Sequence, residues 1–137
     1  MISVGDTITP FVRLGSFEAW SRYGAVNYEI AGHHIDDEVA RHEGFPAAFA
    51  MAPLTFSYFQ IMLREWIGDA GRVETVEMRL RSPFYRGRTL TVTGTVTSVA
   101  AAAGGGVRIE ADVWADDDEG TRIAEGRAVV VSGPTDA

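Results

Sequence analysis

The hydrophobic pattern of the chain changes its period once, near Gly71. Before this residue the apolar positions mostly follow a helical spacing, and after it they alternate with polar positions, as in strands that bury one face. These alternating or valine-rich runs begin near Val76, Leu90, Val107 and Arg122. The connections AAAAGGG (100–106) and DDDEG (116–120) have turn compositions. We therefore expect consecutive and largely antiparallel strands.

The first half of the chain predicts one edge strand and three helices. The expected bounds are 7–14 for the strand and 16–25, 36–43 and 53–67 for the helices. Ser16 suits the N-cap of the first helix, because its hydroxyl can accept a backbone N–H. Pro53 suits the first turn of the third helix, where its missing N–H is not needed. Gly68 is expected to end that helix.

The most apolar stretch of the sequence is segment 45–63, which has 19 residues without a charge. This is nearly the length that spans a bilayer. Pro46, Pro53 and several polar side chains favour a buried central helix instead, so no membrane span is expected. The helix is apolar almost all round, and each strand has one apolar face that needs cover. The sequence predicts an α+β fold, in which a curved antiparallel sheet wraps one long helix within a single domain, 1–137.

Charge and composition exclude several classes of function. The net charge is −7, from 19 acidic and 12 basic residues, which argues against non-specific nucleic-acid binding. The chain contains no cysteine, so disulfides, thiolate metal sites and cysteine nucleophiles are excluded. Its N-terminus lacks a basic region followed by an apolar core, so we expect no signal peptide and a cytoplasmic location.

The densest group of candidate chemical residues is NYEIAGHHIDDEVA, residues 27–40. It places two glutamates, two histidines and two aspartates within 14 positions. Such a segment is either a loop with acid–base chemistry or a polar connection between buried elements. The histidine spacing matches no compact zinc motif, and structural zinc sites usually recruit cysteine. We therefore expect no metal site.

The spacing of this segment resembles the signature of the MaoC-like hot-dog hydratases and dehydratases, Asp-x-Asn-Pro-x-His-x-Asp followed by an alanine. His34 and Asp36 match the His-x-Asp pair, and Ala40 falls at the family's alanine. Glu29 stands where the family has its catalytic aspartate. Ala31 and Gly32 replace the family's asparagine and proline.

A narrower resemblance lies in segment 64–99, which is similar to the small subunits of actinobacterial enoyl-CoA hydratases that act on steroid side chains. The likeness extends over about 5–131 of the chain. It implies a hot-dog fold and an (R)-specific 2-enoyl thioester hydratase, equivalently a 3-hydroxyacyl dehydratase. It also implies coenzyme A or acyl carrier protein as the substrate carrier, no other cofactor, and a homodimer or a heterodimer with a related hot-dog subunit.

The resemblance also assigns roles to residues. Glu29 and His34 would activate a water molecule, because a carboxylate and an imidazole can share its proton transfers. The backbone N–H of Ala52, at the position of a family glycine, would polarise the thioester carbonyl. Glu29 is otherwise an ordinary solvated carboxylate. His33 is treated as a supporting neighbour.

Five further positions have two interpretations each. Asp36 either orients a histidine or caps the short helix that begins beside it, and we favour the cap. Thr55 and Ser57 either bind substrate or satisfy nearby backbone groups. Arg81 and Arg86 either pair with the phosphates of coenzyme A or form the exposed face of a strand and its connection.

Two other functions fit the same fold. The chain can be a non-catalytic partner subunit or acyl-binding module of a heteromeric hydratase, which the changes at Glu29, Ala31 and Ala52 favour. Hot-dog thioester hydrolysis is the least favoured, since it needs a carboxylate on the central helix. Segment 53–63 contains none.

Overall fold

The computed structural model describes residues 1–133 as one five-stranded antiparallel sheet with a long helix on its inner face. The predicted domain extended to residue 137, so its last four residues lie outside this range. A short 3-10 turn, Gly32–His34, precedes the second helix. The strands are β1 Thr7–Leu14, β2 Arg72–Leu80, β3 Thr89–Ala101, β4 Val107–Asp117 and β5 Arg122–Ser132, and the helices are α1 Phe17–Asn27, α2 Asp37–His42 and α3 Ala52–Ile67.

The predicted start signals of the helices are confirmed. The Ser16 hydroxyl accepts the Ala19 N–H at the start of α1, and Pro53 lies in the first turn of α3. Gly68, with φ 80°, ends α3. None of the described helices is long and apolar enough to cross a bilayer.

The strand order is β1-β3-β4-β5-β2, and every neighbouring pair is antiparallel. The expectation of consecutive pairing is confirmed for β3, β4 and β5, which are joined by the two predicted turns. It was wrong for β2, which pairs with β5 at the far edge of the sheet. The reason is the connection 81–88, which contains Pro83 and carries the chain across the sheet instead of folding back in a tight hairpin.

The core lies between α3 and the inner face of the sheet. On β3 the predicted alternation is confirmed, since Leu90, Val92, Gly94 and Val96 are buried. Helix α3 buries one stripe, at Leu54, Thr55, Tyr58, Phe59, Met62 and Leu63. The other side of the helix faces outward at Gln60, Ile61, Arg64 and Glu65.

Candidate active site

A cleft of about 370 Å³ opens at the N-terminal end of α3. Its polar lining residues are Glu29, His34 and Thr55, and the first residue of α3, Ala52, also borders it. The remaining wall is apolar and includes Phe45, Phe49, Leu80 and Phe84. A concave apolar site with a few converging polar groups is typical of small-molecule binding. Larger depressions lie at the C-terminal end of α3 and on the outer face of the sheet, where Arg122 pairs with Glu125 and Arg127 with Asp112.

The end of α1 positions Glu29. Tyr28 adopts the left-handed conformation, with φ 57°, and the N–H of Glu29 donates to the Gly24 carbonyl at 3.0 Å. This turn brings the half-buried Glu29 to the cleft. Partial burial raises the pKa of Tyr23, and the negative charge of Glu29 raises it further.

The turn requires a residue without a side chain at position 24. A Cβ built on Gly24 would lie 2.6 Å from the carbonyl oxygen of Glu29, which is too close for backbone that does not move. An alanine in a helix is normally more stable than a glycine by about 1 kcal/mol. We expect Gly24→Ala to lower the free energy of unfolding instead, measured by urea denaturation. The control is Ala25→Gly at the adjacent exposed position, which measures the helix-propensity difference between alanine and glycine in α1. A Gly24→Ala protein stabilised by about 1 kcal/mol would contradict the close approach.

His34 lies at the end of the 3-10 turn and is only 8% exposed. Its Nδ1 lies 2.7 Å from the carbonyl oxygen of Phe49. A carbonyl oxygen only accepts hydrogen bonds, so Nδ1 must carry the proton. In the neutral ring Nε2 then has a free lone pair. The contact with Phe49 therefore fixes the tautomer in which Nε2 can act as a base.

The N-terminus of α3 supplies a backbone donor. The Met51 carbonyl accepts the N–H groups of Leu54 and Thr55, at 3.1 and 3.3 Å, and Pro53 has no N–H. The Ala52 N–H is therefore the first-turn donor that can serve a ligand in the cleft. The partial positive charge of the helix N-terminus favours an oxygen with developing negative charge at this position.

The structure separates the two hydroxyl residues of α3. Thr55 is 1% exposed and lines the cleft. Ser57 does not line it, and its hydroxyl donates to the Leu54 carbonyl at 2.6 Å. Thr55 thus joins Glu29 and His34, whereas Ser57 satisfies helix backbone.

His33 and Asp36 also lie outside the cleft lining. The His33 ring stacks on Phe49 with centroids 4.9 Å apart, and its Nδ1 is 2.7 Å from the Glu43 carboxylate. The Asp36 carboxylate accepts the N–H groups of Glu38 and Val39 at the start of α2, at 2.8 and 3.4 Å. This is the capping interaction that the sequence favoured.

Variants of Asp36 test whether this residue only caps α2 or also takes part in the reaction. We expect Asp36→Ala to lower the free energy of unfolding by about 1 kcal/mol, measured by urea denaturation. Asp36→Asn, which can still accept both N–H groups, should remain close to wild type. A large loss of activity in both variants with little change in stability would instead assign Asp36 to the active site.

The two arginines predicted to bind phosphate are paired with carboxylates. Arg81 donates from Nε to Glu125 at 2.8 Å, and Arg86 bonds to Asp37. Hydrogen bonds from Arg86 and from the Ala48 N–H hold the pKa of Asp37 at about 2. Neither arginine lines the cleft, so the phosphate role of both remains a prediction.

Sequence reasoning did not identify two contributors to the site. Phe49 acts through its backbone carbonyl, which no residue type can signal. Asp37 links α2 to segment 46–51 through the Ala48 N–H at 2.9 Å. The adjacent aspartates of the motif are a signal for Asp37, but their sequence does not show that Asp36 caps α2 while Asp37 bonds to Ala48. Within residues 1–133, the structure forms no cluster of three or more His, Cys, Asp or Glu side chains that could hold a metal ion.

Comparison with known proteins identifies the fold. Neither a family model nor a curated protein sequence matches the chain. Solved structures match over nearly the whole length. The chain has the hot-dog fold. It is similar to a chain of the ChsH1–ChsH2 complex from Mycobacterium tuberculosis, with a TM-score of 0.82, 20% identity, and coverage of 96% of this chain and 99% of that one.

Two hydratases share the same architecture. The (R)-hydratase from A. caviae involved in PHA biosynthesis matches with a TM-score of 0.83 and 18% identity, covering 97% of this chain and 98% of that one. R-hydratase PhaJ1 from Pseudomonas aeruginosa matches with a TM-score of 0.86 and 16% identity, covering 98% and 84%. At these identities the likeness establishes the fold, and the chemistry has to be argued from the cleft.

Proposed function

We propose that this chain is a MaoC-like, (R)-specific 2-enoyl thioester hydratase, equivalently a 3-hydroxyacyl dehydratase, formed by a single domain. The observation that carries the proposal is the meeting of Glu29, His34 and the Ala52 N–H at one apolar cleft. Two of the similar structures are (R)-hydratases, which supports the same reaction. The apolar wall suits an acyl chain, and the three polar groups suit the thioester end.

The reaction adds water across the C2=C3 bond of the enoyl thioester. Glu29 and the Nε2 of His34 hold one water and take a proton from it as its oxygen bonds to C3. Electrons move from the double bond toward the thioester oxygen, where the Ala52 N–H stabilises the enolate charge. A proton returned to C2 completes the 3-hydroxyacyl product. No cofactor is required beyond coenzyme A or acyl carrier protein as the carrier.

The proposed assembly is a homodimer or a heterodimer with a related hot-dog subunit. Strand β2 forms an edge of the sheet, and edge strands favour pairing with another chain. Helix α3 also has an outward side that includes Ile61. The similar chain from Mycobacterium tuberculosis belongs to a two-component complex, which supports the heteromeric alternative.

The assay for the proposed function is hydration of trans-2-enoyl-CoA thioesters by the purified chain. A panel from short to bulky acyl groups is followed by loss of the enoyl-thioester absorbance, and the product is analysed on a chiral column. We expect turnover to the (3R)-hydroxyacyl thioester. Formation of the (3S) product would contradict the assignment.

A second candidate is a non-catalytic subunit on the same fold. The changes from the family signature at Glu29, Ala31 and Ala52 favour it. This candidate predicts that the chain on its own turns over no enoyl thioester. It also predicts that a partner with the complete signature supplies all activity of the assembly.

A further inference from the structure

Segment 48–50 connects His34, the proposed base in the cleft, to the rest of the fold. The Phe49 carbonyl holds Nδ1 of His34, so its position decides where the ring points and which nitrogen carries the proton. Phe49 also forms an isolated antiparallel bridge with Tyr85. On the other side, its N–H donates to the His33 carbonyl at 3.2 Å. The segment is therefore held between the motif loop and the connection 81–88.

Asp37 and Arg86 fasten this segment at one point. One oxygen of the Asp37 carboxylate accepts the Ala48 N–H at 2.9 Å. The Ala48 carbonyl accepts the backbone N–H of Arg86 at 2.9 Å. The guanidinium of Arg86 bonds to the Asp37 carboxylate. These three contacts form a closed ring of interactions one residue before Phe49.

The ring is also anchored to α1 and partly shielded from solvent. The Arg86 guanidinium lies over the Phe17 ring, 4.7 Å from its centroid. The Asp37 side chain is 16% exposed. A charge pair that is stacked on an aromatic ring and bonded to a backbone N–H is held more firmly than an isolated surface pair. The low exposure of Asp37 and the fixed partners of both side chains indicate a structural purpose for the pair.

We propose that Asp37 and Arg86 are positioning residues for His34, which they hold in its Nδ1-protonated form by fixing the Phe49 carbonyl. Neither residue lines the cleft, so both act through the backbone. Their role in turnover depends on the proposed hydratase function, whereas their effect on the His34 ring does not. In this role Arg86 positions His34 and does not bind a phosphate of the carrier.

Nitrogen NMR of the histidine rings tests the proposal without reference to activity. The chain has three histidines, and His34→Gln assigns the signals of His34. In the wild type we expect a protonated Nδ1 and an unprotonated Nε2. Asp37→Ala and Arg86→Ala should shift His34 toward a mixture of tautomers and lower kcat about tenfold, since mispositioning of a catalytic group by about 1 Å can cost up to 100-fold. KM should change little.

Two further variants make the comparison specific. Asp37→Asn keeps an oxygen that can accept the Ala48 N–H but loses the charge pair, so it should show a smaller shift of the tautomer ratio. It also replaces Asp37→Ala in the comparison if that variant does not fold. Glu119→Ala breaks the unrelated pair with Arg88 and should leave the His34 signals and kcat unchanged.

The possible outcomes separate this inference from the proposed function. Folded Asp37→Ala and Arg86→Ala proteins with wild-type His34 signals overturn the positioning role, whatever the activity. If the two variants shift the tautomer ratio but the wild-type protein hydrates no enoyl thioester, the positioning role is supported and the hydratase function is contradicted. A shifted ratio together with a fall in kcat supports both.

Discussion

Replacing His34 by glutamine is expected to lower kcat for enoyl-thioester hydration by about 100-fold or more. A positioned general acid–base group contributes about 10²- to 10⁴-fold, and glutamine can fill part of the space without accepting a proton. The buried ring is held by the Phe49 carbonyl at 2.7 Å, whereas the neighbouring His33 ring is bonded to Glu43 and stacked on Phe49. The rates are measured by the loss of enoyl-thioester absorbance at saturating substrate.

His33→Gln is the matched control for this prediction. His33 is the adjacent imidazole, but its ring pairs with Glu43 and stacks on Phe49 outside the cleft lining. We expect His33→Gln to retain kcat within a few-fold. Equal losses in the two variants would show that disturbance of the turn, and not the chemistry of His34, explains the effect.

Replacing Glu29 by glutamine is expected to cause a loss of similar size, about 100-fold or more. Glutamine keeps the length and shape of the side chain but cannot take a proton from water. Glu29→Asp keeps the charge and withdraws the carboxylate by one methylene, so we expect it to retain more activity than Glu29→Gln. Both variants should unfold at wild-type urea concentrations, because Glu29 is only half-buried.

The control for Glu29 is another carboxylate of the same region. Glu43 lies beside His33 and not on the cleft lining, and Glu43→Gln should retain nearly full activity. Glu29→Gln activity within a few-fold of wild type would remove Glu29 from the mechanism. His34 would then be the sole acid–base candidate of the motif in the cleft lining.

The secondary structure could be predicted because local signals determine it. Turn sequences and alternating positions gave β3, β4 and β5 in their correct order, and Pro53 with Gly68 bracketed α3. The partner of β2 could not be predicted from these signals. It depends on where the connection 81–88 crosses the sheet, and alternation along one strand contains no information about its neighbour.

The candidate site was predictable where it depended on the spacing of a family signature. That spacing identified Glu29 and His34, the likeness downstream of it identified Ala52, and the structure brings all three to one cleft. Their catalytic roles stay predictions until the variants are measured. The support around them was not predictable, because the Phe49 carbonyl and the Asp37 link to Ala48 depend on how distant segments meet.

The partners of Arg81 and Arg86 could not be predicted from the sequence. Arginines that flank a turn are compatible with both phosphate binding and ion pairing, and residue type does not separate the two. The structure gives each a carboxylate partner, Glu125 for Arg81 and Asp37 for Arg86. Those partners are 44 and 49 residues away in sequence, too far for a local pattern to reveal.

The most direct test of the central claim, that Glu29 and His34 act together on one water, is the rate of the double variant Glu29→Gln/His34→Gln. Residues that act as a unit show strongly non-additive losses. We therefore expect the double variant to hydrate enoyl thioesters within a few-fold of the slower single variant. A loss equal to the product of the two single losses would show that the residues act independently, and would contradict the account.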